Sequence, residues 1–151
     1  MGDFQAKDPR YQEKVRESFS RQPAMSELGA TLNRVRPGLV EIALPYQEEL
    51  TQQHGFIHAG IVATILDTAC GYAAFSLMPS DASVLTVEFK INLLAPAVGD
   101  SLVATAEVIR PGQTITVCKG TVMAIRSDGD ELVAAMQATI MAMFERPGIV
   151  G

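Results

Sequence analysis

The sequence has no tryptophan and few aromatic residues of any kind, 6% of 151. Its interior therefore has to be filled by Ala, Val, Leu, Ile and Met. Cysteine is scarce as well. Cys70 and Cys118 match no metal-ligand spacing and make no secreted disulfide framework. Both read as small core residues of a chain in the reducing cytoplasm, and neither has the electropositive setting of a reactive thiol. Basic residues are in deficit, 12 Lys and Arg against 17 Asp and Glu, for a net charge of −5. That excludes the basic footprint needed for non-specific nucleic-acid binding. Blocks of like charge are missing too, and with 48% hydrophobic residues the chain is not a disordered one. Met1 to Arg10 lacks a basic stretch followed by an apolar run, so no signal peptide is expected, and neither end carries a lipidation motif.

What is present fits one domain, which at this size buries roughly 70% of its unfolded surface without a disulfide or metal staple. A high apolar fraction with only 19% charged residues also points to surface hidden by association of subunits. Asp8-Pro9 reads as a helix start, with Asp as N-cap and Pro at the first helical position. Tyr11, Val15 and Phe19 continue it as an amphipathic helix to about Ser20. A short helical turn from Pro23 ends near Leu28-Gly29. Ala30 to Val35 and Leu39 to Leu44 read as strands joined by Arg36-Pro37-Gly38, a type II turn signature. After a polar loop, Gln47 to Phe56, comes a long apolar helix from His58 to Met78. Four strands follow: Ser83 to Leu94, Ser101 to Arg110, Thr114 to Arg126 and Leu132 to Phe144. In the first of these Leu85, Val87, Phe89, Ile91 and Leu93 share one face, opposite Thr86, Glu88, Lys90 and Asn92. The last is apolar on both faces and is expected to be covered on both. A helix apolar nearly all round cannot lie exposed on a sheet, so the sheet must wrap it.

Ala59 to Met78 has the length of a membrane span. Asp67 near its centre, and strands on either side, argue instead for a buried helix and no membrane. An unpaired buried carboxylate is costly, and this helix carries no Lys or Arg to pair with it. The positions three and four residues away, Ala63, Thr64, Cys70 and Gly71, are small. Two readings stand on these features: a carboxylate facing a ligand, or an Asp held by hydroxyls such as Thr64 or Thr68. The segment from Gln52 to Gly60 leads into the helix, whose N-terminus offers free N–H groups at Ala59 and Gly60, the layout of an oxyanion hole. Gly60 and Asp67 are seven residues apart, about 10.5 Å of axial rise, too far for both to meet one carbonyl within one chain. Two antiparallel copies of the helix would bring Asp67 of one near Gly60 of the other.

The run His58-Ala59-Gly60 through Asp67 to Ala74, followed by Leu85-Thr86-Val87-Glu88-Phe89-Lys90-Ile91-Asn92-Leu93-Leu94-Ala95-Pro96, resembles the PaaI-like branch of the hotdog-fold acyl-CoA thioesterases. The likeness runs from about Leu28 to Phe144. It implies an α+β hotdog fold: an antiparallel sheet of about six strands wrapped around one central helix, over residues 29–146. Residues 1–28 form an N-terminal helical extension and 147–151 a short tail. It implies hydrolysis of an acyl-CoA thioester at sites on the interface of a homodimer or homotetramer. Asp67 matches the catalytic carboxylate, as general base or nucleophile. The N–H of Ala59 or Gly60 matches the carbonyl-polarising donor, and Gln52 the amide that positions water or thioester. Thr86 matches a hydroxyl near the Asp, brought from the facing chain. Here Ala59 replaces the first Gly of the family's His-Gly-Gly, and Gln52 stands for Asn or Gln. No metal and no separate cofactor are implied, since CoA is part of the substrate. Its phosphates need local cations; Lys90 and Arg110 are the chosen candidates, Arg110 lying beside a turn, with Lys119 and Arg126 also considered. His58 is expected to orient the loop by hydrogen bonding. Phe56, Tyr72, Phe75 and Met78 are candidates for an acyl site or, equally, for the core. A non-catalytic acyl-CoA-binding module and a hotdog enoyl-CoA hydratase or dehydratase are the alternatives.

Overall fold

The computed structural model describes residues 4–145 and Gly148, so the tail 147–151 lies, Gly148 apart, outside the described residues. Two short helices, α1 (Tyr11–Ser20) and α2 (Pro23–Leu28), precede the strands β1 (Thr31–Arg36) and β2 (Leu39–Pro45). The long helix α3 (Ala59–Phe75) follows, then β3 (Ser83–Leu93), β4 (Ser101–Arg110), β5 (Ile115–Ile125) and β6 (Glu131–Met143). The strands form one antiparallel sheet in the order β1-β2-β4-β5-β6-β3. Helix α3 packs against β2, β3, β4, β5 and β6, so the sheet encloses it as its composition demands. This is the hotdog architecture.

The scarcity of rings has a structural counterpart. The sheet's helix-facing positions include Ala104, Ala106, Ala124, Ala134, Ala138 and Ala142, all buried. At Gly120 in mid-β5 side chains of the helix press against the strand backbone. A Cβ there would sit 2.7 Å from Leu66 Cδ1 and 3.2 Å from the Thr105 carbonyl oxygen. The hairpin Arg36-Pro37-Gly38 also forms as its sequence indicates, with Gly38 at φ 74°. Its Gly38 N–H donates to Ser76 Oγ at 2.8 Å, which ties the turn to the end of α3.

Three expectations need correction. Helix α1 starts at Tyr11 with Arg10 as its cap residue, not at Pro9. Asp8 instead accepts the Arg10 N–H at 2.9 Å on its side chain and the Tyr11 N–H at 3.1 Å on its backbone, a turn that precedes the helix. Helix α3 stops at Phe75, three residues short of Met78. Pro79 disfavours helical geometry at the residue before it, and Ser76 Oγ caps the end by donating to Ala73 O at 2.7 Å. The faces of β3 also differ from simple alternation. A bulge between Thr86 and Glu88 leaves Val87 without a partner on β6. Thr86 pairs with Ile140 and Phe89 with Ala138, both β6 partners being buried, so Thr86, Phe89 and Ile91 share the helix-facing side while Leu85 lies on the other.

The exposed apolar surface concentrates on β3, an edge strand. Leu85, Val87, Phe89, Leu93 and Leu94 are 40–54% exposed. On β6, where coverage of both faces was expected, Leu132 and Gln137 are exposed on the outer side. Among the described residues no helix is long and apolar enough to cross a membrane.

The close approach at Gly120 makes a test of the packing. Gly120→Val should lower stability by about 1–3 kcal/mol, read as a lower urea midpoint, because overpacking meets helix and backbone together.

Candidate functional site

Asp67 is the ninth residue of the seventeen in α3 and the sole charged residue of that helix. Its side chain is half-buried, and its Oδ1 accepts a hydrogen bond from Thr86 Oγ1 at 2.7 Å. The bulge at Val87 is what turns Thr86 onto the helix-facing side of β3. Thr86 thus reaches Asp67 from the same chain, not from a facing one as expected. Thr64 is occupied elsewhere, donating to Gly60 O at 2.7 Å. Burial pushes the Asp67 carboxyl above the usual carboxylate range, and the Thr86 hydroxyl opposes that shift in part.

A cavity of about 500 Å³ opens at Asp67 and Thr86. It runs past Gly71, where an added Cβ would meet nothing within 4 Å, to Tyr72 and Phe75. Val84 and Leu85 form one side. Ser18, Arg21 and Gln22, at the end of α1 and just beyond it, form another. The sequence reading missed those three. The helical period that identified α1 marks only its apolar stripe, and polar residues beside Phe19 look like any solvated face. Of the acyl-site candidates, Tyr72 and Phe75 line the cavity; Phe56 and Met78 do not.

The other candidates lie apart from Asp67. Gln52, Phe56, His58, Ala59 and Gly60 belong to the loop and first turn ahead of α3, and none lines the cavity. The loop closes on itself: Gln52 N–H donates to Phe56 O at 2.8 Å, and Gln52 Oε1 accepts the His54 N–H. His58 caps α3, its Nδ1 accepting the Gly60 N–H at 3.0 Å, and its carbonyl accepts from Ile61 and Val62. Gly60 N–H is therefore engaged. Among the described residues, Ala59 N–H has no partner shown and is the donor left at the helix start.

The cation candidates scatter. Lys90 sits on the outer side of β3 and donates to Asn92 Oδ1 at 2.5 Å. Arg110 is exposed at the end of β4, and the N–H of nearby Gly112 donates to Thr116 Oγ1 at 3.4 Å. Lys119 pairs with Glu107 at 3.6 Å. Arg126 pairs with Asp128 at 2.7 Å and Glu131 at 2.8 Å. Among the described residues no three His, Cys, Asp or Glu side chains gather as a metal site would need.

Comparison with known proteins places these elements in a family. The thioesterase superfamily matches residues 54–131, from the loop ahead of α3 to the start of β6. A solved thioesterase family protein from Silicibacter pomeroyi is 55% identical, with a TM-score of 0.88 over 89% of this chain and 99% of that one. Human acyl-coenzyme A thioesterase 13 is 31% identical over 86 residues, 56% of this chain and 61% of the relative, so the match spans about three fifths of that protein. The PaaI protein of the Escherichia coli phenylacetic acid degradation operon shares the fold, with a TM-score of 0.79 at 19% identity over 94% of this chain and 97% of that one.

The opposing influences on Asp67 can be separated. Thr86→Val keeps the shape and removes the hydroxyl that favours the ionised carboxylate, so the carboxyl should titrate at still higher pH than in the parent. Carbon NMR of the side-chain carboxyl reads this directly, and an unchanged or lower midpoint would contradict the hydrogen bond's role.

Proposed function

This chain belongs to the thioesterase superfamily, and from that membership we propose that it hydrolyses an acyl-CoA thioester to free CoA and a carboxylic acid. The observation that carries the reading is a half-buried carboxylate, Asp67, hydrogen-bonded by Thr86 at the head of a cavity in an otherwise apolar core. Such a group suits general-base work because its raised pKa brings it nearer to neutral pH.

In this mechanism Asp67 removes a proton from water as the water oxygen bonds to the thioester carbonyl carbon. The carbonyl oxygen becomes an oxyanion. Collapse breaks the carbon–sulfur bond, and the proton held by Asp67 passes to the CoA thiolate. Direct attack by Asp67 fits the same position: its oxygen bonds to the carbonyl carbon, the carbon–sulfur bond breaks with release of CoA thiolate, and water then opens the anhydride to the carboxylic acid and the free Asp67 carboxylate. The oxyanion needs donors aimed at it, and Ala59 N–H at the positive end of α3 is of that kind. Within one chain it stands about 12 Å along the helix from Asp67. A second copy would supply it, in a homodimer or homotetramer joined through the exposed apolar edge of β3. Gln52 would position water or the thioester, Phe56 and His58 would border its entry, and Lys90 and Arg110 would meet CoA phosphates. The two unpaired, buried thiols suit a reducing cytoplasm. A hydratase pairing of His with an acid gains no support, because His58 Nδ1 is engaged in capping α3.

Two experiments test this reading. Release of free thiol from acyl-CoA should fall about 10²–10⁴-fold in Asp67→Asn. The melting temperature of that variant at neutral pH should not drop. A raised pKa means that Asp67 favours the folded state least once pH exceeds that pKa, and Asn removes the ionisation. Ala59→Pro addresses the donor. Proline fits the first helical position, and His58 before it already has the extended ψ of 137° that proline requires. This variant should lose about 10²–10³-fold in kcat with its fold intact. Co-expressed Asp67→Asn and Ala59→Pro chains should regain activity, since a mixed dimer contains one site with both groups unaltered. No recovery would rule out the shared site.

A further inference from the structure

The N-terminal segment forms one wall of the cavity at Asp67, and that wall is built from a chain of hydrogen bonds. Gln22 Nε2 donates to Tyr72 Oη at 2.9 Å, and Tyr72 Oη donates to Ser18 Oγ at 3.2 Å. All three residues line the cavity. The segment is anchored independently of that contact. Val15 is wholly buried in the core. Lys14 Nζ donates to the carbonyl oxygens of Met78 at 2.7 Å and Pro79 at 3.1 Å, and lies 4.4 Å from the centre of the Phe75 ring. The Phe19 ring stands 6.0 Å from that of Tyr72. A wall held by this many contacts to the end of α3 and the loop after it does not swing aside for a ligand at small cost.

We infer that Gln22, locked by Tyr72 and Ser18, sets the length of the acyl group that this site accepts. The inference rests on the proposed acyl-CoA hydrolysis and names the substrate class within it. With the thioester carbonyl at Asp67, the acyl group runs along the open groove at Gly71 toward Phe75 and meets the wall near Tyr72. Five residues of helix separate Asp67 from Tyr72, about 7.5 Å of rise. An extended chain advances about 1.3 Å per methylene, so about six carbons fill that distance. The accepted class is therefore the compact acyl groups, up to about eight carbons. A longer chain has to displace Gln22 and leave the Tyr72 hydroxyl, buried with its ring, short of a partner.

The test compares butanoyl-, hexanoyl-, octanoyl-, dodecanoyl- and hexadecanoyl-CoA. In the parent protein kcat/KM should drop at least about tenfold between octanoyl and dodecanoyl. Gln22→Ala should move that drop to longer chains. Tyr72→Phe, which keeps the ring and removes only the hydroxyl that holds Gln22, should move it the same way by a smaller amount. A parent profile that stays flat or rises to hexadecanoyl-CoA overturns the inference. So does a cut-off that neither variant shifts. Calorimetric binding of the same five compounds to Asp67→Asn reads the wall without turnover. If no compound releases thiol with the parent, the hydrolytic reading falls. The length limit is then supported by a binding cut-off that Gln22→Ala relieves, and overturned by binding that is indifferent to length.

Discussion

A seventeen-residue helix that is apolar on nearly every side but carries one carboxylate sets the terms for the rest of this molecule. The apolar sides require a sheet on several fronts at once, and a single curved antiparallel sheet supplies it. The carboxylate requires a donor within that enclosure. Thr86 meets the requirement, and it does so because β3 is irregular at the one place where regular alternation would have turned the hydroxyl away. The fold and the candidate chemistry are thus two answers to one problem of burial.

Much of this was readable before any coordinates. The order of elements, the enclosure of α3 and the anomalous position of Asp67 follow from period, punctuation and charge. What stayed hidden has physical causes. Val87 is an apolar residue in an apolar stripe, so nothing in its identity marks it as the extra residue of a bulge. His58 caps α3 through an imidazole nitrogen, outside the Ser, Thr, Asp and Asn set that signals caps in a sequence, so the engagement of Gly60 N–H was not foreseen. Ser18 on the polar side of α1 and Gln22 in the link to α2 resemble any solvated residues. Only tertiary packing of the N-terminal segment on the end of α3 brings both to the Tyr72 hydroxyl.

The division of labour along α3 is also clear. Its N-terminal turn faces outward and holds the one helix-start donor with no partner shown among the described residues. Its middle holds the carboxylate, and its C-terminal third, with Tyr72 and Phe75, is sunk against α1. Within one chain the first two regions cannot serve one carbonyl, whereas the last two share a cavity. Association of subunits and selection of the acyl group are therefore problems for opposite ends of the same helix.

The irregularity at Val87 has one more consequence. On either side of it, β3 and β6 pair in a regular ladder, and removing Val87 would leave Thr86 and Phe89 facing α3 as they do now. Removing any residue from Phe89 to Asn92 would invert part of the strand, sending Glu88 or Lys90 toward the core. Within its paired stretch, then, β3 can lose a residue at the bulge without disturbing Thr86, whereas beyond the bulge its register relative to Asp67 is fixed by the buried face.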